Sequence, residues 1–322
     1  MSRLSFLGAA PVVVLLGLYG DASAQSIGYA DAIDRFAIAC SNDIQKHCAK
    51  LDLGGGRIAQ CLDQNRAKVS ASCTATAGAL ASLLATRAQA RASVLRLCDV
   101  DIRRLCQGIE PGDGNLMECF YKAKQNVSSQ CRQAVANAGY EVAIAPLAPT
   151  TQIALTSTEL IDSLQGVNRA AAGLSAARLR QLASASITDP SRTQRLNRAP
   201  LVADLTSLAQ LTIAIQFDFD SARIRPDSFR ALGLMADALY HPYLQGYRFL
   251  IVGHTDGKGN REYNLKLSQL RAEAIRNALI NPFGINPSRI EAVGLGEEQF
   301  LKPDQPGAAD NRRVQLINIG PR

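Results

Sequence analysis

The residues best suited to chemistry are a carboxylate in a glycine-containing loop and an arginine on the helix that follows it. The carboxylate, Asp256, comes just after an apolar segment at 247–252 that predicts a buried strand. The arginine, Arg271, shares one face of a predicted helix with Asn264 and Ser268, at spacings of i, i+4 and i+7. Asp256 and Arg271 predict either a two-ended clamp for a zwitterion or an internal salt bridge. Spacing alone gives these two interpretations equal weight.

His254, two residues before Asp256, is another candidate for chemistry. As a catalytic base it would need a nucleophile nearby, and as a metal ligand it would need partners, but the sequence offers neither. A structural hydrogen-bonding role is therefore favoured for His254. The sequence predicts no catalytic residue, no metal site and no cofactor.

The elements that position these residues alternate between strands and helices. Apolar residues recur at every second position in the first strand and at helical spacing in the helices. In chain order, the predicted elements are a strand at 211–217, a helix at 227–240, a strand at 247–252, a helix at 263–280 and strands at 290–293 and 313–319. This βαβαββ order predicts a layered α/β domain over residues 205–322. Asp256 then lies at the end of a central strand, where such folds place ligands.

Several short stretches of residues 211–317 give this region a resemblance to a known family. They are Phe217-Asp218-Phe219-Asp220-Ser221-Ala222, Gly253-His254-Thr255-Asp256, Asn264, Leu267-Ser268, Arg271-Ala272, Gly294-Leu295-Gly296 and Asn311-Arg312-Arg313-Val314. In their order and spacing they resemble the OmpA-like peptidoglycan-binding domain. The resemblance implies non-covalent binding of meso-diaminopimelate, the diamino acid of the peptidoglycan stem peptide, without catalysis.

The resemblance also implies a role for each residue of the site. The principal ligands of diaminopimelate are Asp256 and Arg271. Three further residues line the pocket or hold it, namely Thr255, Asn264 and Asp220. Supporting residues follow at Asn311, Arg312 and Arg313. The two arginines either meet sugar or peptide carboxylates or have a structural role beside Asp218.

Cysteines form the second set of reactive residues, and all eight lie between Cys40 and Cys131. They form two groups of four, which share steps of 8, 13 and 12 residues and are offset by 58, so the region is an internal repeat. The groups are Cys40, Cys48, Cys61, Cys73 and Cys98, Cys106, Cys119, Cys131. The tight cysteine spacing typical of zinc sites is missing, and disulfides are therefore favoured over metal.

Four cysteines allow three pairings, and a helical hairpin favours one of them. Residues 31–50 and 57–73 have helical patterns, and Gly54-Gly55-Gly56 predicts a turn between them, so the two helices are antiparallel. The favoured pairs are Cys48–Cys61, Cys40–Cys73, Cys106–Cys119 and Cys98–Cys131. The unequal steps require a skewed crossing or a frayed helix end, because helix length grows by about 1.5 Å per residue. The two all-α units, about 31–75 and 90–135, resemble the cysteine-rich repeats of the Golgi apparatus protein family.

The remaining segments flank the repeats. Residues 1–24 predict a secretory signal peptide with an apolar run and a small-residue cleavage site, and the alternative is an uncleaved anchor. The cysteine-rich repeats then occupy 25–140. Residues 141–204 predict a linker with one amphipathic helix, which starts at a capping box on Thr156 and extends to about Ala185. The apolar stripe of this helix is expected to pack within the chain.

The 322-residue sequence has a net charge of +7, which suits an anionic partner. Its Lys and Arg residues are scattered rather than clustered, so no nucleic-acid partner is expected. We expect a periplasmic cell-envelope protein, associated with the outer membrane, that binds peptidoglycan and presents its repeats to a protein partner. Two alternatives stay open: a cell-wall hydrolase with an unrecognised catalytic region, and a passive anchor for a pore or motor complex.

Overall fold

The structure is a computed structural model, and it describes most of the chain after the first segment. The described residues are 27–49, 51, 56–110, 114–140, 156–165, 174–189, 201–202, 205 and 207–322. The predicted signal peptide at 1–24, the turn glycines Gly54 and Gly55, and most of the 141–204 linker lie outside these ranges. Within them, no helix has the length and apolar character of a membrane span.

The C-terminal domain has the predicted βαβαββ order. Its elements are β1 (Gln210–Ile213), α9 (Phe229–Leu239), β2 (Tyr247–His254), α10 (Arg261–Ile280), β3 (Ile290–Gly296) and β4 (Val314–Pro321). The sheet order is β1-β4-β2-β3, with β2 parallel to β3 and β4 antiparallel to both of its neighbours. This order makes β2 and β4 the central strands. The loop after β2 therefore lies at the carboxyl end of a central strand, in the middle of that end of the sheet.

The first strand is shorter than predicted, because the chain turns away from the sheet after Ile213. The backbone N–H of Gln216 donates to Ser228 Oγ at 2.7 Å, and Arg225 N–H donates to the Gln216 carbonyl at 2.9 Å. Asp218 N–H also donates to the Arg223 carbonyl at 3.0 Å. Residues 216–225 therefore form a local hairpin beside the domain rather than a longer β1.

Helices cover both faces of the sheet. Phe249 and Ile251 of β2 face α9 and α10, whereas Leu250 and Val252 face the other side. That other side is covered by α8 (Ala176–Thr188), which belongs to the segment predicted as a linker. Residues 174–189 are therefore part of the domain core, which explains why β2 is apolar on both faces.

The linker segment contains two described helices instead of one. The first, α7 (Ser157–Leu164), starts with the predicted capping box: Thr156 Oγ1 accepts from Glu159 N–H at 3.2 Å. Its apolar stripe packs within the chain, as expected, with Leu160 and Leu164 buried in the core. The prediction of one helix extending to Ala185 is wrong, because α7 ends at Leu164 and α8 starts anew at a cap on Ser175.

Both cysteine-rich units are helical and contain two disulfides each. Their helices are α1 (Tyr29–His47), α2 (Arg57–Gln64), α3 (Ala71–Leu97), α4 (Asp99–Leu105), α5 (Asn115–Lys122) and α6 (Ser129–Asn137). The bridges are Cys40–Cys73, Cys48–Cys61, Cys98–Cys131 and Cys106–Cys119, which are the nested pairs that the helical hairpin favours. The likeness of these units to the Golgi apparatus protein repeats stays a prediction.

The prediction of one helix over 57–73 is wrong. The chain leaves α2 after Gln64, and a new helix, α3, starts at an N-cap on Ser70, whose hydroxyl accepts from Cys73 N–H at 3.2 Å. Cys73 therefore lies in the first turn of α3. The two bridges of this unit join Cys40 in α1 and the C-cap residue Cys48 to two different helices. The unequal spacing of the cysteines along the sequence therefore causes no misfit.

The same carboxylate–serine contact occurs in each unit, between residues that repeat at the offset of 58. Asp43 accepts from the N–H and the hydroxyl of Ser70 at 3.2 and 2.6 Å, and Asp101 accepts from Ser128 at 3.1 and 2.7 Å. The serine hydroxyl is the largest cause of a lowered pKa for both carboxyl groups. Each aspartate thus fixes the N-cap of the helix that carries the outer cysteine.

The repeats pack directly on the C-terminal domain, at the outer face of α9. Gly233 and Ala30 lie very close together there, and a Cβ on the glycine would meet the Ala30 backbone at 2.7 Å. Beside it, buried Arg87 pairs with buried Asp237 at 2.8 Å, and Asp237 also accepts from Ala30 N–H at 3.1 Å. Arg91 stacks over the Tyr240 ring at 4.1 Å. This polar contact ties α1, α3 and α9 together.

Candidate functional site

Asp256 lies in the loop directly after β2, at the carboxyl end of this central strand. Its side chain is almost completely buried, and Oδ2 accepts from Arg312 Nη1 at 2.6 Å, while Oδ1 accepts from Lys258 N–H at 3.2 Å. Arg312 approaches because it lies two residues before the start of β4, which pairs with β2. Arg312 therefore makes the salt bridge that was considered for Arg271.

Arg271 points from α10 toward the same loop. Its Nε donates to the Ser221 carbonyl at 3.0 Å, and its guanidinium carbon lies 4.9 Å from the centre of the Phe217 ring. Burial lowers the pKa of Arg271 most, followed by the positive charge of Arg312, whereas Asp220 and Asp256 oppose this shift. Arg271 therefore has a second guanidinium group, that of Arg312, and two carboxylates, those of Asp220 and Asp256, as charged neighbours.

Asp220 is held in an unusual conformation at the tip of the 216–225 hairpin. Its φ is +53°, a value that residues other than glycine rarely adopt, and its carboxylate accepts a hydrogen bond from the Tyr263 hydroxyl. Tyr263 is not among the site residues that the sequence predicts, although its place in the first turn of α10, one residue before Asn264, could have indicated it. The tyrosine, 44% exposed, borders the site.

Asn264 and Thr255 lie beneath the site and hold its loop. Buried Asn264 donates through Nδ2 to the Lys258 carbonyl at 2.9 Å and to Glu297 Oε2 at 2.6 Å. Buried Thr255 is fixed through its N–H, which donates to the Gly296 carbonyl at 2.9 Å. These contacts make Asn264 a positioning residue, and Glu297 is a supporting partner that the sequence did not indicate.

Two of the supporting residues are structural. Fully buried Asn311 accepts from the N–H groups of Leu301 and Lys302, both at 2.9 Å, and so organises the loop before β4. Arg313 is buried and donates to the Gln299 carbonyl at 3.2 Å, and burial lowers its pKa to about 10. The role considered beside Asp218 belongs to neither arginine.

Asp218 pairs with Arg223 inside the hairpin instead.

His254 is buried, and desolvation, followed by the charge of Arg313, lowers its pKa well below the ordinary value. Its ring is therefore neutral at neutral pH. Within the described ranges, no cluster of three or more His, Cys, Asp or Glu side chains could hold a metal ion.

A cleft of about 750 Å³ opens beside the charged groups, between residues 212–217 and 309–314. Arg271 and Arg312 line it together with the apolar side chains of Ile213 and Phe217. Its volume is in the range of small-ligand sites. The arrangement can hold a ligand that carries both charges, with Asp256 for its cation and the guanidinium groups for its anion.

Comparison with known proteins gives this domain its relatives. Residues 216–313 match the OmpA family. The chain is 35% identical over 117 residues to the peptidoglycan-associated lipoprotein of Pseudomonas aeruginosa. These residues cover 36% of this chain and 67% of that protein. The peptidoglycan-associated lipoprotein of Pseudomonas putida is 33% identical over 132 residues, which cover 40% of this chain and 77% of that protein.

A larger relative is outer membrane porin F of Pseudomonas aeruginosa, 32% identical over 130 residues. These residues cover 40% of this chain and 36% of the porin, so the chain spans about a third of that protein's length. The likeness to the lipoproteins, by contrast, extends over at least two thirds of their length. Through its C-terminal domain, the chain belongs to the OmpA family.

Proposed function

We propose that the C-terminal domain binds the peptide stem of peptidoglycan at the free end of meso-diaminopimelate. That end carries an ammonium and a carboxylate on the same carbon, so its binding site needs an anion and a cation close together. The main support is a contact: buried Asp256 accepts from Arg312 Nη1 at 2.6 Å, and Arg312 lines one cleft together with Arg271. The names of the two lipoprotein relatives, which state an association with peptidoglycan, support it.

In the proposed complex, each charge of the ligand has its own partner. Asp256 accepts hydrogen bonds from the ammonium, and Arg271 donates two parallel hydrogen bonds to the carboxylate. Arg312 leaves Asp256 when the ammonium arrives. Its side chain is 48% exposed, so it has room to turn toward the ligand carboxylate.

We further propose that the protein works in the cell envelope, on the periplasmic side of the outer membrane, without catalysing a reaction. The outer-membrane relative supports this location, and residues 1–24 would supply the export signal. The repeats would present a protein partner to the cell wall. Because they pack on α9, such a partner would be held at a fixed position relative to the bound peptide.

Co-sedimentation with purified sacculi tests the proposal. The unchanged protein should pellet with the sacculi, and Asp256→Ala should remain in the supernatant. Asp227→Ala, which removes an exposed aspartate of the same domain, is the matched control and should pellet normally. Equal pelleting of both variants would reject the proposed site. Release of fragments from the sacculi would instead support the alternative of a cell-wall hydrolase.

A further inference from the structure

A second groove, of about 660 Å³, runs along the outward face of α10. One wall consists of helix side chains, namely Leu270, Glu273, Asn277 and Asn281. The opposite wall combines residues 221–224 of the hairpin with Arg57, the first residue of α2. Arg57 belongs to the first disulfide unit, so the repeats contribute one lining residue to a groove that otherwise belongs to the C-terminal domain. We refer to it as the α10 groove.

The α10 groove starts at the proposed diaminopimelate site. Ser221 lines the groove, and its carbonyl accepts the hydrogen bond from Arg271 Nε at 3.0 Å. Leu270, at the same end of the groove, is the neighbour of Arg271 in the chain. A ligand anchored at Arg271 can therefore continue into the groove past the tip of the hairpin.

The length of the α10 groove suits a short extended peptide. Leu270, Asn277 and Asn281 lie at spacings of 7 and 11 residues on one helix face. At about 1.5 Å per residue, this face is about 16 Å long. An extended chain covers about 3.4 Å per residue, so the groove accommodates about five residues.

The chemistry of the walls also fits a peptide. Asn277 and Asn281 are exposed, and their side-chain amides can each donate to and accept from backbone amide groups. Leu270, 45% exposed, offers an apolar contact to a small side chain such as alanine. The guanidinium of Arg57 suits a carboxylate of the ligand.

We propose that the α10 groove is a second subsite, which binds the rest of the stem peptide while its diaminopimelate end lies at Asp256 and Arg271. The inference rests on the proposed function and deepens it. It gives the first disulfide unit a direct part in binding, through Arg57. A stem tetrapeptide, which contains alanine methyl groups, amides and free carboxylates, supplies the chemistry that the walls would recognise.

Calorimetric titration of the full-length protein distinguishes the two subsites. Two ligands are compared, free meso-diaminopimelate and a stem tetrapeptide that contains it. The unchanged protein should bind the tetrapeptide about tenfold more tightly, the size expected for one added hydrogen bond to a charged group. Arg57→Ala combined with Asn277→Ala should remove this gain and leave the affinity for free diaminopimelate unchanged. Both residues are exposed, so the fold should persist.

Arg66→Ala is the matched control, because Arg66 is an exposed arginine of the same unit outside the groove, and it should keep the full gain. Equal affinity of the unchanged protein for the two ligands would overturn the second subsite, as would a gain that survives in the double variant. A tetrapeptide gain lost equally in Arg66→Ala would also overturn it. If the unchanged protein binds neither ligand, the proposed function itself fails.

Discussion

The contact between the repeats and the C-terminal domain predicts a large effect of Asp237→Ala on stability. Asp237 and Arg87 have side chains only 7% and 4% exposed, and they meet at 2.8 Å. The variant would leave the Arg87 guanidinium buried without its carboxylate. Removal of one partner from a buried ion pair typically costs about 3–5 kcal/mol.

A neighbouring positive charge increases this cost. Arg91 is also largely buried, and desolvation, followed by the charge of Arg87, lowers its pKa, while Asp237 opposes the shift. Without Asp237, the two guanidinium groups would repel each other with less compensation. The carbonyl groups of Ile27 and Ala138, which also accept from Arg87, offset only part of the loss. We therefore expect the upper part of the range.

Equilibrium unfolding in urea measures this cost as a decrease in the free energy of unfolding. Asp99→Ala is the matched control, because Asp99 pairs with Arg103 at the surface, where the side chains are 54% and 71% exposed. Such a pair contributes at most about 1 kcal/mol. A decrease for Asp237→Ala no larger than that of the control would refute the buried contact between the two parts.

Three further predictions concern the site, the disulfides and pH. Arg271→Lys should weaken sacculus binding about tenfold in a quantitative pull-down, because an ammonium cannot donate two parallel bonds to a carboxylate; unchanged binding would contradict the assigned role. Reduction of the four disulfides should unfold the repeats, because each bridge, between cysteines 13 or 33 residues apart, contributes about 3 kcal/mol to the free energy of unfolding. The C-terminal sheet contains no cysteine and should keep its far-ultraviolet circular dichroism signal. Burial, followed by the charge of Lys124, lowers the pKa of His241 to about 4 in the folded protein, compared with about 6.5 in the unfolded chain. The folded state therefore gains stability from the neutral ring above about pH 6.5, and it loses this stability as the pH falls to 4. The loss is at most about 3 kcal/mol, and His241→Gln should flatten this part of the stability curve.

The order of elements in the C-terminal domain could be predicted because hydrophobic periodicity is a local signal. The apolar segment at 247–252 predicts a central strand and therefore places Asp256 just after the carboxyl end of that strand, which is where it lies in the structure. The cap that starts α3 at Ser70 was also readable, but a continuous helical pattern over 57–73 obscured it. Local patterns thus established the type of most elements better than their ends.

The contacts that complete the site depend on pairing between distant parts of the chain. Arg312 meets Asp256 because β4 runs beside β2, and 56 residues separate the two in sequence. Arg87 and Asp237 are separated by 150 residues. The residues next to Arg87 in the sequence do not distinguish this buried arginine from arginines that lie on the surface. The covering of the sheet by α8 has the same cause. Such contacts follow from the tertiary fold, so spacing along the sequence could not show them.

The most direct test of the Asp256–Arg271 clamp is the binding of free meso-diaminopimelate, measured by calorimetry against pimelate, which has the same carboxylates and no ammonium groups. We predict that the unchanged protein binds diaminopimelate at least about tenfold more tightly than pimelate, because only the former offers a cation to Asp256. Asp256→Asn should lose this preference, while Asp227→Asn, at an exposed position, should retain it. Equal binding of the two ligands by the unchanged protein, or a preference that survives in Asp256→Asn, would contradict the proposed clamp.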